Sequence, residues 1–131
     1  MCFNTLALLT TQILASTIHF QSDFSTKIDG DLVSFTKTTI IYDLSRAKCP
    51  HASTHGADTW FVTLLSTFNN DFERTVTESI AYTPFPGAKQ VYLTPEIELQ
   101  SGELTLWFRC SSLAGTTFDS DFGQNYHFKI Q

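Results

Sequence analysis

"EIELQSGELTLWFRCS", Glu96 to Ser111, is the stretch on which the fold turns. From Gly102 onward, Leu104, Leu106, Phe108 and Cys110 alternate with Thr105, Trp107 and Arg109. A period of two places the first set on one face of a strand and the second set on the other. Residues 96–100 read as a second, shorter strand, and Gln100 to Gly102 between the two carries a hairpin signal.

The same punctuation continues in both directions. "TIHFQSDF" (Thr17–Phe24) alternates Ile18 and Phe20 against His19 and Gln21, and "IDGD" (Ile28–Asp31) holds an Asp-Gly turn. "LVSFTKTTIIYDL" (Leu32–Leu44) is Thr-rich and β-branched, and its period shifts near Lys37–Thr39, the mark of a bulge or a break. Residues 45–58 have no apolar period and read as a long loop. "TWFVTLLSTF" (Thr59–Phe68) is almost continuously apolar, as suits a central strand covered on both faces. "NND" (Asn69–Asp71) is a turn, "RTVTESIAY" (Arg74–Tyr82) alternates, and "TPFPGAKQ" (Thr83–Gln90) is a loop. "VYLT" makes a short strand. "NYHFKI" closes the chain with Tyr126, Phe128 and Ile130 on one face and His127 and Lys129 on the other. About seven to nine short strands at roughly 8–12-residue spacing predict an all-β antiparallel sandwich, with a closed barrel as the alternative.

At 131 residues the chain has room for one domain. A 42% hydrophobic content supplies a core, which excludes wholesale disorder. The 12 phenylalanines, with frequent Thr and Ile, favour strands. A net charge of -5 with no basic run excludes nucleic acid and disfavours an anionic membrane, since phosphates are neutralised by clustered cations.

Residues 1–16 stand apart from the domain at 17–131 as an apolar appendage. "FNTLALLTTQILA" (Phe3–Ala15) is too short for a transmembrane span. It has the length of a signal-peptide core cleaved after Ala15, which would mean secretion. However, no Lys or Arg precedes it, and Ile13 is not the small residue that cleavage wants. The alternative is a packing or assembly arm. Cys2, Cys49 and Cys110 are an odd set; without the first residues, Cys49 and Cys110 remain as one candidate pair.

Several constellations could carry chemistry. "DSDFGQN" offers Asp119, Asp121 and Asn125 as oxygen ligands for calcium, with Gly123 easing a turn. It lacks an acidic residue where an EF-hand loop ends, because that position is Ile130. The plainer reading is an Asx-type turn before the final strand, with Asp119 and Ser120 bonding local backbone N–H groups. Cys49, His51 and His55 are zinc-type ligands, with Asp58, Cys110 or His127 as a fourth, at a spacing that matches no standard module. No nucleophile elbow and no phosphate loop occur. Glu78, Glu96, Glu98 and Glu103 are the carboxylates from which a glycosidase pair would be drawn. Nothing in the pattern points to an enzyme.

"GELTLWFRCSSLAGTTFDSDFGQNYHFKI" (Gly102–Ile130) resembles the ending of an uncharacterised bacterial domain family. That family closes with Gly-Glu-Leu-x-Leu-Trp-Phe, a loop, and Asp-Ser-Asp-x-Gly-x-Asn-Tyr-x-Phe. "GDLVSFTKTTIIYDLSRAKC" (Gly30–Cys49) resembles an earlier part of it. The resemblance implies a β-sandwich and supplies no catalytic residues. The last quarter of the chain is also similar to the ending of starch-binding modules, through Phe118, Asp119, Gly123, Asn125 and Tyr126. It departs from that ending at Ser120 and Asp121. This similarity implies a non-catalytic carbohydrate-binding module for a polysaccharide or glycan. Trp107, Asp119, Asn125 and Tyr126 are its expected ligand residues. The alternative is a structural or self-assembling domain whose partners are other protein subunits, paired through sheet edges.

Overall fold

The computed structural model describes residues 15–50, 52–54 and 57–131. The apolar run ahead of Ala15, with the signal-peptide and arm readings attached to it, lies outside the described residues, as do His51 and His55. Strands β1 (Ser16–Phe20), β2 (Thr26–Asp29), β3 (Lys37–Tyr42) and β9 (Glu96–Glu98) form one sheet in the order β2-β1-β3-β9. A second sheet has the order β11-β10-β6-β7-β8, from β6 (Phe61–Phe68), β7 (Val76–Tyr82), β8 (Val91–Tyr92), β10 (Gly102–Ser112) and β11 (Gly115–Asp119). It also contains β12 (Tyr126–Ile130), paired to β10. β4 (Ala52–Thr54) and β5 (Ala57–Thr59) pair only with each other. The architecture is the expected all-β sandwich, open rather than a closed barrel. The strands outnumber the expected seven to nine because β4, β5 and β11 form where the sequence reads as loop.

The period-two patterns place the core. Ile18, Phe20, Ile40, Tyr42 and Ile97 face it from the first sheet, and Val62, Leu64, Ile80, Leu104, Leu106, Phe108, Cys110 and Ile130 from the second. Burying each such Ile, Leu, Val or Phe contributes about 1.5–3 kcal/mol. The near-continuous run at β6 is explained by its position between β10 and β7. Phe20 packs edge-on against Phe108, with ring centroids 4.8 Å apart, and Tyr42 lies 4.1 Å from Phe108. Aromatic rings therefore fill the end of the sandwich where β1 and β3 finish.

Three local expectations are corrected. β9 and β10 do not form a hairpin: β9 pairs with β3 and β10 with β6, so residues 99–101 carry the chain from one sheet to the other. Asn69 secures that crossing. Its Oδ1 accepts from Glu103 N at 2.9 Å, and it occupies the space where a side chain on Gly102 (φ +111°) would sit. Second, the sandwich is not wholly antiparallel, because β1 and β3 run parallel, from Ser16↔Thr38 to Phe20↔Tyr42. The chain passes beneath the start of β1 at Gly30 (φ +83°), where a Cβ would lie 2.9 Å from the Ala15 carbonyl oxygen. The period shift near Lys37 is the break that follows this crossing, and β3 begins at Lys37.

Third, the turn expected at "DSDFGQN" is present, but it does not reverse the chain. β11 and β12 both run antiparallel to β10, on successive halves of the same edge: Phe108↔Asp119 to Ser112↔Gly115, then Gly102↔Ile130 to Leu106↔Tyr126. Residues 120–125 are a compact excursion between two collinear strands. The carbonyl of Ser120 accepts from Gly123 N at 3.1 Å and Asn125 N at 2.6 Å. Asp121, Phe122, Gly123 and Asn125 all have positive φ.

Candidate functional site

The chain after β3 turns sharply through Leu44–Arg46, capped by Asp43, whose Oδ1 accepts from Ser45 N at 3.0 Å. This turn aims Arg46 back between the sheets, where its side chain is 0% exposed. A buried guanidinium requires a partner and filled hydrogen bonds. Nε donates to Asp119 Oδ2 at 3.0 Å, Nη1 to the carbonyls of Gln21 (3.1 Å) and Ser25 (3.2 Å), and Nη2 to the Tyr126 hydroxyl at 2.8 Å. Four rings surround it, those of Phe20, Phe24, Tyr42 and Tyr126, with centroids 5.1–5.6 Å from Cζ.

Asp119 completes the cluster. The Tyr42 hydroxyl donates to its Oδ2 at 2.7 Å and the Tyr126 hydroxyl to its Oδ1. Burial, followed by the hydrogen bond to this carboxylate, raises the pKa of both phenols, that of Tyr126 up to about 12. Burial alone would lower Arg46, but the hydrogen bond and charge of Asp119 outweigh it and raise it. One carboxylate thus joins β3, the 44–46 turn, the β1–β2 turn, β11 and β12.

Cys49 and Cys110 form a disulfide with Cα atoms 5.2 Å apart, tying the segment after Arg46 to β10. Neither sulfur is therefore a thiolate ligand for zinc. Thr117 Oγ1 donates to the Lys48 carbonyl at 2.9 Å and holds the same segment against β11.

Above this cluster lies a pocket of about 420 Å³. Its inner wall includes Tyr42, Val62, Phe108 and Cys110, all buried; its rim carries Phe24, Phe118 and Phe122, all exposed. Phe122 is fully exposed at the tip of the 120–125 excursion, and Phe24 sits on the β1–β2 turn of the other sheet. Both have positive φ, 68° at Phe24 and 56° at Phe122, which is rare for a bulky side chain.

The four expected ligand residues do not converge. Asp119 and Tyr126 belong to the pocket, and Asn125 (φ 63°) shapes the loop beside it. Trp107 projects from the opposite face of β10, half-buried, with its ring 6.0 Å from that of Phe72. The calcium set is also divided. Asp119 turns inward to Arg46 and the tyrosines, while Asp121 and Asn125 stay on the loop, and Ser120 rather than Asp119 caps a local N–H. Among the described residues no group of three His, Cys, Asp or Glu could hold a metal ion. Glu78, Glu96 and Glu98 border a second, polar groove away from this pocket.

The sequence matches a family of unknown function, DUF6209, over residues 13–131. The chain belongs to this family. No curated protein and no solved structure matches it. The match spans both stretches that resemble an uncharacterised domain family, Gly30–Cys49 and Gly102–Ile130; the likeness to starch-binding modules is not shown.

Sequence reading missed Arg46, whose partner lies 73 residues away and leaves no local signal. It also missed the rim, although a signal was present. Ser-Asp-Phe occurs twice, at 22–24 and 120–122, each time putting an aromatic among turn formers where no strand could bury it.

Proposed function

We propose that this DUF6209 chain is a non-catalytic carbohydrate-binding domain whose ligand site is the phenylalanine-rimmed pocket. The observation that carries the reading is the pair of Ser-Asp-Phe turns. They come from different sheets, yet both hold a phenylalanine in the left-handed region, out in solvent, on the same pocket. Each such backbone costs about 1–3 kcal/mol. The Phe122 ring, fully exposed, returns nothing to folding, and the Phe24 ring stays exposed on its outer side while it covers Arg46; because both border one pocket, the arrangement makes sense as a surface kept ready for a ligand.

Exposed rings on separate loops suit the apolar faces of a sugar, and Lys48, Thr117, Ser120 and Asp121 supply polar groups around them. The volume falls in the ~300–1,000 Å³ range of ligand pockets. Asp119 supports a binding role rather than a proton-transfer one, since three donors already occupy its carboxylate.

A glycan array followed by calorimetry tests this. Phe122→Ala is expected to abolish binding without lowering thermal stability, Phe24→Ala to abolish it with a modest loss of stability because its ring covers Arg46, and Trp107→Ala to leave binding intact. An array with no hits, or binding that depends on Trp107 and not on the rim, would overturn the proposal.

A further inference from the structure

We infer that the sugar residue entering the pocket carries a methyl-ended substituent, an acetamido group or a deoxy position, with the methyl against the inner wall. This rests on the sugar-binding reading above and narrows it to a ligand class. The pocket has two chemically distinct zones. Its rim mixes aromatic rings with Lys48, Thr117, Ser120 and Asp121. Its inner wall is Val62, Phe108, Ala47 and Cys110, with Tyr42, Tyr126 and the Arg46–Asp119 pair alongside.

The polar atoms of the inner zone are mostly engaged within the protein. Both tyrosine protons go to Asp119. Arg46 directs four of its five N–H groups to Asp119, Gln21, Ser25 and Tyr126. Cys110 carries no thiol, being bonded to Cys49. A hydroxyl pushed to this depth would lose its water and find few partners, which is costly. A methyl group would lose nothing and would meet aliphatic, aromatic and sulfur surface.

An unsubstituted hexose has a hydroxyl or hydroxymethyl on every available edge, so it can enter only by stranding one. A 6-deoxy sugar or an N-acetylated amino sugar presents a methyl in one direction and hydroxyls in the others. That polarity matches the apolar wall and the polar rim.

The test uses the full chain and matched sugars as methyl glycosides. N-acetylglucosamine is compared with glucose, and 6-deoxygalactose with galactose of the same hand, by titration calorimetry and saturation-transfer NMR. Within at least one pair, the methyl-bearing member is expected to bind at least about fourfold tighter, the equivalent of the ~0.8 kcal/mol for burying one CH₂ group. Its methyl is expected to receive the strongest saturation transfer. Val62→Thr, which puts a hydroxyl on the wall at constant shape, is expected to narrow that preference. The NMR epitope on the unmutated chain decides the matter even if this variant folds poorly. Equal or tighter binding of the hydroxylated members, or saturation concentrated on ring hydrogens, would overturn the inference and leave sugar binding standing. No binding of any member, alongside an empty glycan array, would remove both.

Discussion

Replacing Asp119 with alanine should cost this fold about 3–5 kcal/mol, the range for breaking a buried ion pair by removing one partner. The figure applies because Arg46 is fully buried and its carboxylate partner only 11% exposed. A solvent-exposed pair would cost about 0–1 kcal/mol. In Asp119→Ala the guanidinium keeps its bonds to Gln21, Ser25 and Tyr126 but loses its carboxylate partner. The two tyrosine hydroxyls lose their acceptor as well. Arg46→Met should cost less, since it leaves Asp119 with both tyrosine donors and some access to water. The double variant Arg46→Met/Asp119→Ala should then be more stable than the sum of the single losses predicts, by about 0.5–3 kcal/mol, because it strands no charge.

Urea denaturation, followed by circular dichroism and tryptophan fluorescence with linear extrapolation, measures all four proteins. A domain of this kind has about 5–15 kcal/mol in total, so the Asp119→Ala midpoint should move far outside error. A loss under about 1 kcal/mol, or strict additivity in the double variant, would refute the reasoning and make the cluster a hydrated surface contact.

Replacing both Cys49 and Cys110 with serine removes a cross-link of sequence separation 61, for which the chain-entropy relation gives about 4 kcal/mol; unchanged urea stability would contradict it. Tyr42 and Tyr126 hold their protons more tightly when folded, so their contribution is complete below the ordinary tyrosine value of 10.0. It is lost as pH rises beyond that value, for Tyr126 through about 12. Melting temperature should therefore fall across that interval, and less steeply in Tyr126→Phe; a flat profile would count against the buried phenols. Thermal melts in millimolar calcium and in chelator should coincide, because Asp119 is committed elsewhere; a calcium-dependent rise that vanishes in Asp121→Ala would show otherwise.

Much of this fold could be read from the sequence because burial on one face writes itself as period two. Alternation alone puts Leu104, Leu106, Phe108 and Cys110 on one face, and all four are buried. Partner choice is not written that way. Glu96–Glu98 and Gly102–Ser112 look like a hairpin because they are close in sequence, yet alternation cannot say which sheet a short strand joins. The site was legible in part for a related reason. The likeness to a starch-binding ending singles out Asp119 and Tyr126, but nothing local indicates that they face Arg46 rather than solvent. Trp107 drew attention by size, although its parity in β10, opposite to Phe108, already put it on the other side.

The two ends of the sandwich are finished differently, and the difference bears on function. At the end where β3 begins, backbone closes the gap between the sheets. Ser34 N donates to the Gln131 carbonyl at 2.9 Å, Gln131 N to that of Leu32 at 2.8 Å, and Phe35 N to that of Leu99 at 2.8 Å. That solution needs no particular side chain. At the end where β3 finishes, the sheets are joined instead by one arginine, one carboxylate, two phenols and a disulfide, with the pocket left above them. A buried ion pair is often no better for stability than a well-packed apolar cluster of similar volume. What it adds is position. The guanidinium takes hydrogen bonds to the Gln21 and Ser25 carbonyls on either side of Phe24, and its partner Asp119 is the last residue before the loop that carries Phe122. One charge pair thereby fixes the spacing between two rings that project from different sheets. Apolar packing would close this end; the ion pair holds it open at a set width, as the ligand site proposed above would require.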